Sequence, residues 1–343
     1  MADDTKESTD ISRRKALRLL AAGTAVATSA CARKKTPESV KSVTSSVTHP
    51  PTKNAMNDPI LKLVPLPKGQ PWPTVDPFLF CVHHNDIYPV GNAKFGPAAS
   101  LEGRQLGSDF ARKDGWSMYH GLEVPGFPRH PHRGFETVTV VREGLIDHAD
   151  SLGAAARYGD GDVQWLTAGD GINHAEMFPL LNQKNQNPTD FFQIWLNLPA
   201  KNKRVAAEFK MLWANTIPKV SYTDSQQRKT EVVVIAGAYQ KQQAAQTPKN
   251  SWAAESGNDV AIWTIKQDPN ADWLLPKTQS GTVRSLYLVR GGGIQIHGRQ
   301  IETLHRLELA PDQDILIQNG SEDSELLLLQ GRPIGEAIAR HGP

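Results

Sequence analysis

The chain predicts an all-β protein built from two small antiparallel barrels in tandem. Its apolar runs are short and rich in Val, Ile, Leu and Thr, as strands are. Turn residues separate them: the 343 residues include 27 Gly and 24 Pro. The pattern of strand, Gly turn and strand occurs in two stretches, one over residues 135–177 and one from residue 231 onward.

The first residues stand apart from that pattern. Ser12-Arg13-Arg14-Lys15-Ala16-Leu17-Arg18 resembles the twin-arginine export motif, and an apolar run over residues 19–30 follows. That run is too short to span a bilayer permanently. Thr28-Ser29-Ala30-Cys31 resembles a lipobox with Thr28 in the usual place of Leu, and Ala30-Cys31-Ala32 also suits a soluble signal-peptidase site. Residues 1–32 are therefore expected to be a signal peptide, with lipidation of Cys31 favoured over release as a soluble protein. A soluble N-terminal helix fits poorly with paired Arg ahead of small apolar residues. Residues 33–59, rich in Ser, Thr, Pro and Lys, are expected to be a flexible tether. The protein is thus expected in the periplasm, free or anchored as a lipoprotein.

The first barrel is expected over residues 60–215. Residues 81–119 form a long Gly-containing stretch with His83, His84 and Asp86, followed by His120. These polar groups are expected in solvated loops that shape the mouth of a site. From residue 136 to 141 the β-branched sequence predicts a strand, and Gly161-Asp162 and Gly169 to Gly171 predict turns around a strand at 163–166.

Two short segments carry chemistry. In a strand, residues i and i+2 share a face, so His130 and His132 project together, as do His174 and Glu176. One His-x-His alone is usually a surface pair. Two such pairs on neighbouring strands can aim three imidazoles and a carboxylate at one ion, which suits Fe(II), Mn(II), Ni(II) or Cu(II). His148 and Asp150 are expected in a turn before Ser151, a poor arrangement for a Ser/His/Asp relay. Trp165, Phe191, Phe192, Trp195 and Leu196 are expected as barrel wall.

Residues 201–210 are polar with helical character and are expected to link the barrels. The second barrel, over residues 216–343, starts with a strand at 231–235, followed by a surface loop at 239–258. Six short strands come after it, near 260–265, 284–289, 294–296, 306–309, 315–317 and 325–329. Gly291-Gly292-Gly293 lies between two of them and reads as a hairpin turn rather than a phosphate cradle. His297 and His305 lack a His or Glu two residues away, so this barrel is expected to be metal-free.

Composition narrows the partners. Lys plus Arg (38) nearly balances Asp plus Glu (36), so no basic field exists to recruit nucleic acid. Two Cys, Cys31 and Cys81, are too few for a disulfide framework. Membrane association is expected only through a lipid on Cys31.

The first barrel resembles a known family. His130-x-His132-x3-Glu136 and Gly171-x2-His174 resemble the two cupin motifs. More narrowly, Asp76-Pro77-Phe78-Leu79, His130-Pro131-His132-Arg133-Gly134-Phe135-Glu136, Gly171-Ile172-Asn173-His174-Ala175-Glu176-Met177 and Trp195-Leu196-Asn197-Leu198-Pro199 resemble the pirins. The resemblance implies two cupin (jelly-roll-like) barrels, with one transition metal in the first, most often Fe(II), held by His130, His132, His174 and Glu176. It implies that Glu136 is no ligand, leaving it, with Gln164 and Arg133, as a candidate neighbour of the ligands. The family's C-terminal tail with a helix would follow Gly342-Pro343, where this sequence stops. The function implied is a quercetin 2,3-dioxygenase-like oxidoreductase that uses O₂ on a phenolic, flavonol-like substrate, with Glu176 as base. The alternative is a non-catalytic iron-binding redox sensor or protein-interaction module, its protein partner unknown.

Overall fold

The computed structural model describes residues 58–338. The expected signal peptide, with Cys31, and most of the expected tether lie outside these residues. The first half holds β1 (Ile60–Pro65), β2 (Phe78–Tyr88), β3 (Gly126–His132), β4 (Phe135–Glu143), β5 (Leu145–Asp150), β6 (Ala155–Gly159), β7 (Val163–Thr167), β8 (Ile172–Met177), β9 (Asn187–Asn197) and β10 (Glu208–Leu212). The second holds β11 (Lys219–Thr223), β12 (Lys229–Ala236), β13 (Ala238–Tyr239), β14 (Gln242–Gln243), β15 (Ala261–Gln267), β16 (Asp272–Leu275), β17 (Val283–Arg290) and β18 (Ile294–Ile296). It ends with β19 (Arg299–Ile301), β20 (His305–Leu309), β21 (Ile315–Asn319) and β22 (Ser324–Gly331).

Each barrel is a pair of facing sheets. In the first, β10-β7-β4-β9-β2 faces β3-β8-β5-β6; in the second, β1-β20-β17-β22-β15-β12-β11 faces β16-β21-β18-β19. The two larger sheets pack against each other. Their seam is a continuous apolar core that includes Val138, Val140, Trp165, Phe192, Ile194, Ile262, Tyr287 and Leu327. β4 is therefore covered on both faces, and its burial shows no alternation. Parity still divides it. Glu136, Val138 and Val140 face the seam, while Phe135, Thr137, Thr139 and Val141 face the interior of the first barrel.

The chain crosses between barrels more than a cut at residue 215 allows. β1 pairs antiparallel with β20 and so completes the second barrel's sheet, Leu63 lying opposite Leu307. The segment at 201–210 is one short 3₁₀ turn, Ala200–Asn202, leading into β10, because β10 pairs with β7 and extends the first sheet. The stretch at 239–258 is not a plain surface loop. It contains β13, β14 and two 3₁₀ turns, and Tyr239 and Ser251 within it are buried.

His83, His84 and Asp86 are not loop residues. They lie on β2, which pairs with β9 along its length. His83 Nε2 lies 2.9 Å from Asp190 Oδ1, His84 stacks on Phe191, and buried Asp86 accepts from Tyr119 Oη–H at 2.7 Å. Burial pushes Asp86 up to about 6, against the hydrogen bond from Tyr119. The inserted segment after β2 folds back on the barrel: Trp116, Met118 and Tyr119 join its core, and Arg104 stacks on Trp116.

Candidate metal centre

β3 and β8 pair antiparallel, with His130 opposite His174 and His132 opposite Ile172. A bulge between Phe127 and His130 re-aims the end of β3 beside this pair. Two glycines allow close packing here, Gly126 between β3 and β8 and Gly169 between the turn before β8 and Val205. A Cβ on Gly169, in the turn before β8, would stand 2.1 Å from the Val205 carbonyl oxygen. One on Gly126 (φ +130°) would stand 2.5 Å from the Glu176 carbonyl oxygen.

The three imidazoles converge. Ring centroids are 4.7 Å apart for His130 and His132, 4.5 Å for His130 and His174, and 4.8 Å for His132 and His174. The Nε2 atoms of His130 and His132 are 3.1 Å apart. That is close to the separation of two neighbouring ligands each roughly 2.1 Å from one ion. His130 Nδ1 lies 2.8 Å from the Pro128 carbonyl oxygen, which only accepts, so Nδ1 carries the proton and Nε2 offers a lone pair. His174 is buried, and neither of its ring nitrogens has a hydrogen-bond partner. A buried orphan imidazole is costly unless something else takes its lone pair.

His132 and His174 are both pushed down to about 3, first by burial and then by the neighbouring imidazoles. Both are therefore neutral at physiological pH, the form in which imidazole ligates a metal. The donor set fits a first-row transition ion, and His130, His132 and His174 can hold one. This is the one such group among the described residues.

Glu176 stands beside the trio, its Oε2 4.0 Å from His174 Nε2. The carboxylate is buried and firmly held. Gln193 Nε2 donates to Oε2 at 2.7 Å, while Thr139 Oγ1 and Tyr158 Oη lie 3.0 and 3.4 Å from Oε1. A longer chain of hydrogen bonds runs behind it. Asp150 Oδ2 accepts from His148 Nε2 at 3.0 Å. His148 Nδ1 then accepts from Gln164 Nε2 at 3.3 Å, and Gln164 Oε1 accepts from Tyr158 at 3.0 Å. His148 and Asp150 belong to β5 rather than to a turn, and both side chains are fully buried. Parity along β5 and β9 was the available signal for His148 and Gln193, whereas β4 is buried on both faces and offered none for Thr139.

The sequence expectations divide accordingly. Gln164 accepts from Tyr158, whose hydroxyl lies 3.4 Å from the Glu176 carboxylate. Arg133 does not: it is exposed and pairs with Asp170 at 2.6 Å. Glu136 faces away from the histidines, where its carboxylate accepts from Trp165 Nε1 (3.0 Å), Thr167 Oγ1 (2.7 Å) and Ser251 Oγ (2.7 Å). Trp165, Phe192 and Leu196 are wall in the seam, and Phe191 is core of the first barrel. Trp195 instead lies 5.5 Å from the His132 ring and stacks on Phe80 at 4.4 Å. With Phe135, 5.1 Å from His132, it gives the site an aromatic rim. Beside it Phe80 and Phe127 line a cavity of about 140 Å³, closed by Phe110, Arg112 and Tyr119 of the inserted segment.

Two barrels of facing sheets, with an inward cluster of imidazoles in the first, define a bicupin. The Pirin family model matches residues 98–196. A Pseudomonas aeruginosa protein named "Putative quercetin 2,3-dioxygenase" is 34% identical over 224 residues, covering 64% of this chain and 72% of its own length. Human Pirin is 31% identical over 233 residues, 66% of this chain and 73% of its own. The chain belongs to the pirin family. The crystal structure of a quercetin 2,3-dioxygenase from Acinetobacter baumannii has the same fold. Its TM-score is 0.61 at 24% identity, over 78% of this chain and 79% of that one.

Proposed function

We propose that the protein is an exported, metal-dependent dioxygenase that acts on a phenolic, flavonol-like compound, with Fe(II) held by His130, His132, His174 and Glu176. The observation that carries this is the cluster of neutral imidazoles beside one restrained carboxylate. The name of the Pseudomonas aeruginosa relative supports the substrate class. The ion, when bound, supplies Lewis acidity toward a phenolic oxygen and a centre for O₂ chemistry.

The residues do the rest. Glu176 takes the proton of the phenol hydroxyl, and Gln193 and Thr139 keep its carboxylate aimed. Trp195, Phe135 and Phe80 offer faces to a flat aromatic substrate. Both atoms of O₂ enter the substrate, so no external reductant is needed. Export through the twin-arginine route, with Arg13 and Arg14 as signal, delivers the protein folded to the periplasm, free or anchored at Cys31.

Anaerobic addition of quercetin to the Fe(II)-loaded protein should red-shift the flavonol absorption, and admitting O₂ should consume it. A metal-replete protein that neither binds nor oxidises any phenol would instead be a non-catalytic iron-binding sensor or interaction module.

A further inference from the structure

A second cavity, of about 510 Å³, opens at one end of the second barrel, where Asp259, Trp263, Pro276, Lys277, Thr278 and Gln330 line it. Its place in the fold corresponds to the metal centre of the first. β17 and β22 pair as β4 and β9 do, each pair with one bulge near the same end. Counted from that bulge, Leu288 and Leu326 match Val141 and Phe191, and Arg284 and Gln330 match Thr137 and Trp195. Trp195 is the residue that touches His132, so Arg284 and Gln330 stand at the level of the metal ligands.

Arg284 is fully buried and under-satisfied. Its Nη2 donates to the Pro276 carbonyl at 2.8 Å, but Nε and Nη1 have no partner. No carboxylate among the described residues reaches it within the 4.0 Å of an ion pair. Two carboxylates, Asp314 and Asp259, lie near enough to favour its charge, and both are engaged. Asp314 Oδ1 accepts from the Lys277 N–H at 2.6 Å. Asp259 is bound on both oxygens. Its Oδ2 accepts from Thr278 (2.5 Å) and Thr282 (2.6 Å), and its Oδ1 from Gln330 (3.3 Å). Burial pushes the guanidinium down to about 10, still charged. A buried charge without a partner is strongly disfavoured, so an anion at this place removes a cost the fold otherwise carries. Arg284 lies behind the cavity wall: Gln330 is its cross-strand partner and Pro276 its acceptor, and both line the cavity.

We propose that this end of the second barrel binds a small organic carboxylate, whose oxygens enter between Pro276 and Gln330 and accept from Arg284. Its apolar body lies against Trp263, and Lys277 at the wall adds a second positive charge. Asp259 and Glu255 on the same cavity offset Lys277 and Lys249, so with Arg284 the lining carries one net positive charge, which suits a monoanionic carboxylate better than a phosphate dianion. None of this depends on the chemistry proposed for the first barrel.

Benzoate is the probe, titrated by calorimetry into the full-length, metal-loaded protein, with inorganic phosphate as comparison. One benzoate per chain should bind. Arg284→Met should weaken it roughly tenfold or more, the scale of a lost charged hydrogen bond. Ala238→Trp, an exposed change at the cavity wall, should weaken it similarly and carries the test if Arg284→Met does not fold. No saturable binding at millimolar benzoate overturns the proposal. So does binding that survives both substitutions, as benzoate on the first-barrel metal would, and so does preference for phosphate.

Discussion

Ser251 Oγ donates to Glu136 Oε2 at 2.7 Å across the seam between the barrels, 115 residues apart in sequence. Trp165 and Thr167 donate to the other oxygen of the same buried carboxyl. The residue that the cupin motif marks as a metal neighbour here ties one barrel to the other.

The Glu136 carboxyl has a measurable consequence. Burial pushes it from 4.5 up to about 7, against four donors that lower it: Thr167, Ser251, Trp165 and the Trp252 backbone N–H. A raised acid favours the protonated fold. Its contribution is full below pH 4.5, is lost as pH rises to about 7, and is flat above. His84, His132 and His174, all pushed down to about 3, give the opposite slope below their ordinary 6.5, so only a difference isolates Glu136. Glu136→Gln should gain on wild type by on the order of 2–3 kcal/mol between acid and pH 8. Urea unfolding at pH 4.5 and pH 8 checks this, and an equal difference at both values would sink it.

The metal assignment predicts about one transition-metal equivalent per chain. His132→Ala should lose most of it. His297, in the turn between β18 and β19 of the other barrel, should be dispensable. Elemental analysis of wild type, His132→Ala and His297→Ala decides, and equal metal in both variants would refute the centre.

The shared faces of His130 with His132 and of His174 with Glu176 were legible because their alignment is local: i and i+2 on one strand share a face whatever else the chain does. Glu136 was not, because β4 is buried on both sides and hydrophobic pattern cannot tell its faces apart. His83 and Asp86 read as loop because their partners, Asp190 and Tyr119, are 107 and 33 residues away, and pairing makes buried charge tolerable in a strand. The crossing of β1 into the second barrel is likewise a non-local pairing, invisible in residues 60–65 alone. In the second barrel the six short strands stood out by their apolar runs. β11 and β19 did not, their residues being largely exposed.

The pair of His148 and Asp150 predicts a stability effect. Asp150→Ala leaves the His148 Nε2–H and the backbone N–H groups of Leu152 and Ala154 without their acceptor. Leaving the buried His148 N–H without its acceptor should cost about 1–3 kcal/mol. Chemical denaturation reads this directly, and a loss under about 1 kcal/mol, the range of an exposed ion pair, would show that the pair contributes little.

Export predicts a simple localisation result. With Arg13→Lys and Arg14→Lys together, precursor should stay in the cytoplasm, and Cys31→Ala should abolish lipid labelling. Wild-type protein found full length in the cytoplasm would refute the signal peptide.

The last prediction separates the base from what aims it. Glu176→Gln keeps the size of the side chain and removes its basicity, so turnover of a flavonol should fall about 10²–10⁴-fold. Gln193→Leu leaves the carboxylate but removes the N–H that holds Oε2 at 2.7 Å. The metal should remain, with turnover reduced less than in Glu176→Gln. Metal content is measured beside each rate, so that lost ion is not mistaken for lost base. A metal-replete Glu176→Gln protein with wild-type turnover would remove Glu176 from the reaction. Wild-type turnover in metal-replete Gln193→Leu would show that Gln193 serves packing rather than the carboxylate.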